Sequence, residues 1–195
     1  VLDFHEMGTS STYFFQPGVP KRTNPLSPQG TRQLTRKFAD YHAKALDDID
    51  AIYFTEERFD DFYPGKGSTY PDLHGAVGIL FEQASARGNI QESPQGDVYF
   101  WKTIRNQVAT SISSLRATRD LRLPLLENKR QAYEEAEQMA LERDVRSYAF
   151  SAGDDHDRLK HFADLLTLHD IDFLWLPEGG MVDLVNGESM ELVER

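Results

Sequence analysis

Residues 76–85 read "AVGILFEQAS". Ala76, Val77, Ile79, Leu80 and Phe81 form a nearly continuous apolar run, the pattern of a strand buried on both faces rather than one. The run ends in Glu82. A carboxylate leaving so apolar a strand loses several kcal/mol of hydration, to order of magnitude, unless a partner or a cleft receives it. Glu82 is therefore a candidate general base with a tuned pKa. Its bland alternative is a strand-end acid that faces water or pairs with Arg87.

Outward from this strand, the chain alternates strands and helices. "LDFHEM" at 2–7 and "STYFFQPG" at 11–18 are short β-rich runs closed by Gly8 and by Pro17-Gly18. Ser27 followed by Pro28 predicts a capped helix start. Leu34, Phe38, Tyr41 and Ala45 then recur at helical spacing. "DAIYFT" at 50–55 predicts another strand, and 56–75, "EERFDDFYPGKGSTYPDLHG", a long polar loop. Beyond 76–85, the loop "ARGNIQESPQGD" leads into an amphipathic helix carrying Ile104, Val108, Ile112 and Leu115. This alternation predicts an α/β domain over 1–121. The apolar opening, Val1 to Phe4, predicts a central strand cut through at its upstream side, which delivers His5 to the rim where strand ends build sites.

After Leu121 the character changes. Residues 122–144 predict a linking helix, highly charged with a thin apolar seam. "VRSYAFSA" at 145–152, a helix with Leu159, Phe162, Ala163 and Leu166, and "DIDFLWLP" at 170–177 predict a βαβ unit, the start of a second α/β domain over 145–195.

Composition narrows the chemistry. Of 195 residues, 39% are hydrophobic and 27% charged, enough for a core, and the formal net charge is -11. Such a surplus of acid argues against nucleic acid as a partner, since neutralising phosphates takes clustered Lys and Arg. Without cysteine, thiolate chemistry is excluded and any metal needs His and carboxylate ligands. No apolar run reaches the roughly 20 residues of a membrane-spanning helix.

His5 is the second candidate. On a strand, Asp3, His5 and Met7 share one face and Glu6 points to the other, so Asp3 is the carboxylate available to His5. A carboxylate behind an imidazole is the usual support of a zinc ligand; a lone histidine is otherwise a hydrogen-bonded core residue. Two further stretches carry no site. "GKGST" at 65–69 lacks the spacing of a phosphate loop. In "SAGDDHD" at 151–157 the aspartates repel anions and serve as helix caps.

"DFHEMG" and "YPGKGSTYPDLHGAVGILFEQASARG" together resemble the C-terminal half of a zinc carboxypeptidase catalytic domain. The resemblance spans roughly residues 1–120. His5 matches the third zinc ligand, Tyr63 with Gly67-Ser68 and Tyr70 the mobile tyrosine loop, and Phe81-Glu82 with Arg87-Gly88 the catalytic glutamate segment. It implies a partial doubly wound, mostly parallel or mixed sheet, zinc as cofactor and a peptide as substrate. In such enzymes zinc lowers the pKa of its water toward about 7. The glutamate, here Glu82, moves the water's proton to the leaving amine. Tyr63 would contact substrate, and Thr69 would fall near the side-chain pocket. The family also suggests a periplasmic or secreted origin, and some relatives continue into a glutamine-amidotransferase-like domain, which residues 145–177 resemble only in outline.

One departure limits the expectation. The family's first two zinc ligands form a His-x-x-Glu motif upstream of the third, and its carboxylate-binding arginines lie upstream too. No His-x-x-Glu occurs in this sequence. A site that needs three protein ligands cannot be built on His5 alone, so the chain is expected to be an inactive fragment of a metallocarboxypeptidase. The alternative is a non-catalytic peptide-binding module on a peptidase-like scaffold. A different α/β hydrolase is disfavoured by the lack of a G-x-S-x-G elbow.

Overall fold

A computed structural model describes residues 1–145 and 147–176, together with the backbone of two short strands at 181–183 and 189–191. The chain divides into two compact units, Val1–Glu137 and Gln138–Arg195. In order, the first contains β1 (Leu2–Met7), β2 (Tyr13–Phe15), α1 (Gln29–Asp47), β3 (Tyr53–Phe54), α2 (Thr69–Leu73), β4 (Ile79–Ala84), β5 (Ile90–Gln91), β6 (Val98–Tyr99) and α3 (Phe100–Asp120). The unit boundary falls inside α4 (Arg122–Glu142), and the second unit contains α5 (His156–Leu168), β7 (Met181–Asp183) and β8 (Ser189–Glu191).

The protein is mixed α/β, built on a four-stranded mixed sheet in the order β1-β4-β2-β3. β4 runs parallel to β1 and antiparallel to β2, and β2 is parallel to β3. The strand predicted to be doubly buried is indeed central: Ile79 and Phe81 face one side, Glu82 and Ala84 are buried too. β1, expected at the centre, lies at the sheet's edge. Among the described residues it pairs with β4 alone and no strand adjoins its other side, and Leu2 and Phe4 are exposed.

One face of the sheet meets α1 and α3. Its core joins Tyr13, Phe15, Ile79 and Phe81 to Leu34, Phe38 and Leu46 of α1 and Ala117 of α3. Leu34 and Phe38 of the predicted apolar face are core, whereas Tyr41 sits at its rim and His42 and Leu46 go inside. The helix start differs by a residue from the expected cap. Pro28 occupies the cap position and no side chain caps the end. Asn24 organises this turn instead: its Oδ1 accepts from Leu26 N–H at 2.9 Å and its carbonyl from Ser27 N–H at 3.0 Å, which turns the Ser27 hydroxyl into the interior.

α3 reverses the expected amphipathicity. Its buried residues are Thr103, Asn106, Thr110, Ser113, Ser114 and Ala117, while Ile104, Val108, Ile112 and Leu115 are exposed. Small side chains allow close approach to α1, and their hydroxyls are satisfied within the helix: Ser114 Oγ donates to Thr110 carbonyl at 2.7 Å, and Ser113 Oγ to the same oxygen at 3.0 Å. α4 is tied to this unit through Asn128, whose Nδ2 donates to Thr31 Oγ1 at 2.9 Å and to Gly75 carbonyl at 2.8 Å. No helix among the described residues is long and apolar enough to cross a membrane.

In the second unit, Asp155 caps α5 by accepting from Arg158 N–H at 2.9 Å, as the acidic stretch before it predicted. The strands expected on either side are not formed at 147–152 or at 171–176; Arg146 and Pro177 lie outside the described residues. A lone parallel pair with neither a third strand nor a covered face is not a stable element. Described strand pairing in this unit is the antiparallel β7–β8 pair.

His42 shows how the core constrains a titratable group. Ser113 Oγ already donates to Thr110, so His42 Nδ1 donates to Ser113 Oγ at 2.7 Å, and Nε2 is left buried without a partner among Phe15, Phe38 and Phe81. Burial lowers its pKa to about 4. The unfolded chain binds this proton near the ordinary value of about 6.5, so stability is lost as pH falls from there to the folded value, by about 3 kcal/mol in all. His42→Phe is expected to remove that component of the slope, read as urea midpoints between pH 7.5 and 4 compared with wild type; an unchanged slope contradicts a neutral, desolvated His42.

Candidate functional site

The sheet's second face carries the candidate site. In the β1–β4 register Asp3 pairs with Leu80 and His5 with Glu82. Across β4, Glu82 pairs with Phe14 of β2, which in turn pairs with Phe54 of β3. Paired residues point the same way on neighbouring strands about 4.8 Å apart, so His5, Glu82, Phe14 and Phe54 form one row. Phe59 closes on Phe14 with a ring separation of 4.4 Å. The row thus passes from an exposed imidazole through a buried acid to an aromatic wall.

His5 Nε2 lies 2.8 Å from Asp3 Oδ1. The carboxylate holds the Nε2–H tautomer in place, which leaves Nδ1 as the ring nitrogen with a free lone pair. Glu82 is 9% exposed, and its Oε2 is buried without a hydrogen-bond partner. Burial raises its pKa; His5 opposes the rise and Asp3 adds to it. Arg87 does not neutralise it, because the guanidinium lies 3.8 Å from Glu6 Oε2 instead. Glu82 is thus an acid that the sheet buries with one oxygen unpaired, and its burial disfavours the ionised form.

The long loop between β3 and β4 covers this row. A Cβ at Gly67 would lie 3.1 Å from Asp3 Oδ2, so the loop passes directly over Asp3. A side chain at Gly67 would require Asp3 to give by a few tenths of an ångström. Tyr63 is 63% exposed and its ring folds onto Gly65, where a Cβ would fall 2.4 Å from the ring. The structure thus brings His5 and Glu82 together and holds Tyr63 on the covering loop, turned onto its own backbone. Thr69, expected near the side-chain pocket, is fully buried, and its hydroxyl donates to Asp61 at 2.6 Å.

Two features escaped sequence reasoning. Asp61 and Asp72 are both buried at the foot of the loop, hidden in a stretch that reads as polar surface. Gln107 of α3 accepts from Tyr13 OH at 2.7 Å, with burial raising the tyrosine pKa, and its amide reaches the His5 carbonyl at 3.4 Å. It ties the helix to the strand that carries the imidazole. On the opposite face, Phe4, Glu6, Gln83, Phe100, Ile104 and Val108 border an open groove of about 310 Å³ between β1 and α3.

Zinc fits this chain only in part. His5, with Asp3 behind it, is suited to one ligand position. No group of three or more His, Asp or Glu side chains among the described residues could hold a metal ion. Comparison with family models, with curated proteins and with solved structures finds no match to this chain.

Removing the unpaired charge at Glu82 is expected to stabilise the fold. The raised folded pKa means that wild-type stability is lost as pH rises through the interval between the ordinary and the raised value. Glu82→Gln escapes that loss and should gain about 1 kcal/mol at pH 8, with a smaller gain at pH 4. Thermal melts at the two pH values measure it. A structural, satisfied glutamate would give a loss at both.

Proposed function

We propose that the chain is the C-terminal half of a zinc carboxypeptidase-type catalytic domain, in which Glu82 is the general acid/base and His5 one ligand of the metal. The observation that carries this reading is the side-by-side placement of His5 and Glu82 across one parallel register, with Asp3 on His5 Nε2. The sequence resemblance alone places these residues in order along the chain. The register adds that they share a face.

The division of labour follows from the surroundings. Glu82, between Phe14 and His5 in the register, takes a proton from a water and returns it to the departing amine. Its raised pKa makes the carboxylate a stronger base toward that water than a solvated one. Asp3 orients His5. The loop carrying Tyr63 lies over the row and is placed to close on the C-terminal residue of a peptide. On this reading the remaining metal ligands and the cations that bind the substrate carboxylate come from outside the described residues.

A form extended upstream to include a His-x-x-Glu segment tests the assignment. Loaded with zinc, it is expected to lose about a thousandfold in kcat on Glu82→Gln with zinc stoichiometry unchanged, and to lose zinc on His5→Ala. Hydrolysis of peptides with a free C-terminus, followed by release of the terminal amino acid, is the readout. Full turnover of the zinc-loaded Glu82→Gln form overturns the role of Glu82. Peptide binding without hydrolysis or zinc identifies a binding module instead.

A further inference from the structure

We propose that the open edge of β1 and the apolar stripe of α3 together dock a second copy of this chain, with the two β1 strands paired antiparallel about Phe4 and Asp3 of each copy opposite His5 of the other. The proposal uses the edge and the helix alone and does not rest on the peptidase reading.

The edge is defined by what β4 leaves unused. Val1 carbonyl accepts from Ile79 N–H at 3.0 Å, and Met7 carbonyl from Ser85 N–H at 3.1 Å. In a parallel pair every second residue bonds to the neighbouring strand, so Val1, Asp3, His5 and Met7 serve β4. The N–H and C=O groups of Leu2, Phe4 and Glu6 therefore point outward, where no strand adjoins β1 among the described residues. Such a row is a template for one more strand. β1 contains no proline or lysine, the residues that most often guard an open edge.

The sequence of β1 selects the partner. Two copies of one strand paired antiparallel are related by a two-fold axis perpendicular to the sheet, so each face meets the same face of the partner. Residues 2, 4 and 6, which point outward, must then meet one another. Three centres meet that condition with extensive overlap. About Asp3, two carboxylates stand directly opposite, and like charges so placed are destabilising. About His5, Phe4 meets the partner's Glu6, and Asp3 meets the partner's Met7. About Phe4, the two Phe4 rings meet, Leu2 meets the partner's Glu6, and Asp3 meets the partner's His5. Only this last register gives every outward N–H and C=O of both strands a partner. It also puts Asp3 and His5 in non-hydrogen-bonded positions, where opposing Cα atoms are only about 4.5 Å apart. His5 Nε2 already lies 2.8 Å from its own Asp3 Oδ1, and both side chains are partly exposed. Acid and imidazole thus alternate around the axis.

The other face supplies apolar area. Phe4, stacked on Phe81, keeps part of its surface exposed, and Ile104, Val108 and Ile112 of α3 are exposed as well. Phe4, Ile104 and Val108 border one open groove of about 310 Å³. Pairing about Phe4 sets this groove against its own copy, which removes apolar surface from water on both sides. Glu6 at the groove's end is engaged within its own chain: Ser85 Oγ donates to it at 3.3 Å, and Arg87 lies 3.8 Å away. The net charge of -11 on each copy opposes association, but at physiological salt exposed charges are largely screened beyond about 8 Å.

Sedimentation velocity of the full chain at physiological salt is expected to show a monomer–dimer equilibrium across micromolar concentrations. Ile104→Lys combined with Val108→Lys should raise the dissociation constant about tenfold or more, because it sets cations into the apolar contact. Lysine lowers the net negative charge, so loss of the dimer cannot come from long-range repulsion. The chain has no cysteine, so single cysteines report the register. On oxidation Phe4→Cys should crosslink to its copy, since a Cα separation of about 5.5 Å suits a disulfide. Asp3→Cys and His5→Cys should not. A monomer at every concentration, a dimer indifferent to the α3 substitutions, or crosslinking at 3 or 5 in preference to 4 overturns the proposal. A monomer whose Leu2, Phe4 and Glu6 amides resist hydrogen exchange shows the edge covered by its own chain, and overturns it as well. If Phe4→Cys does not fold, sedimentation of the wild type and the α3 variant decides. None of these readouts involves zinc or hydrolysis, so failure here is distinct from failure of the peptidase reading.

Discussion

The double pairing of β4 is the constraint on which the rest of the first unit depends. With β1 on one side and β2 on the other, the strand has no free edge, and its residues must be accommodated on two covered faces. One face is served by apolar burial, with Phe81 stacked on Phe4 at 4.6 Å and packed beneath α1 and α3. The other carries Glu82, which cannot move to solvent without shifting the register and turning Phe81 away from the core. The core therefore holds the acid in a costly place, and that place sits beside His5.

The same economy of space explains the helices. α3 approaches α1 through serine, threonine and alanine, whose hydroxyls return to helix carbonyls, and the contact is bridged by the His42–Ser113 hydrogen bond. Its apolar stripe faces away from this contact and borders the groove beside Phe4. A helix that spends its small residues inside and its branched ones outside is packed for closeness rather than for buried area. The exposed edge of β1 and this stripe lie next to each other, which makes them one surface of mixed backbone and apolar character.

Buried polar groups recur across the unit with different consequences. Asn128 is fully used, with two acceptors for one amide, and anchors α4. His42 is half satisfied and held neutral. Glu82 has an unpaired oxygen, and Asp61 and Asp72 are buried carboxyls, with burial the main cause that raises the Asp72 pKa to about 9. Unsatisfied atoms occur on both faces of the sheet, His42 Nε2 on the helix side and Glu82 Oε2 on the other; Glu82 is the one that stands beside an exposed imidazole.

Much of this was readable from local pattern. The apolar run at 76–81 named the central strand, the 34–38 spacing named α1, and the acid before α5 named its cap, because each depends on neighbours within a few residues. Asp3 as the companion of His5 also follows from period-two alternation alone. What sequence could not decide depends on register and on packing between distant segments. That β1 is an edge, that His5 stands beside Glu82, that α3 turns its polar side inward, that Thr69 is interior and that Asp61 and Asp72 are buried all follow from which strands pair and how closely the helices approach. Such contacts join residues from about 10 to 100 positions apart, and local periodicity carries no record of which partner a residue will meet.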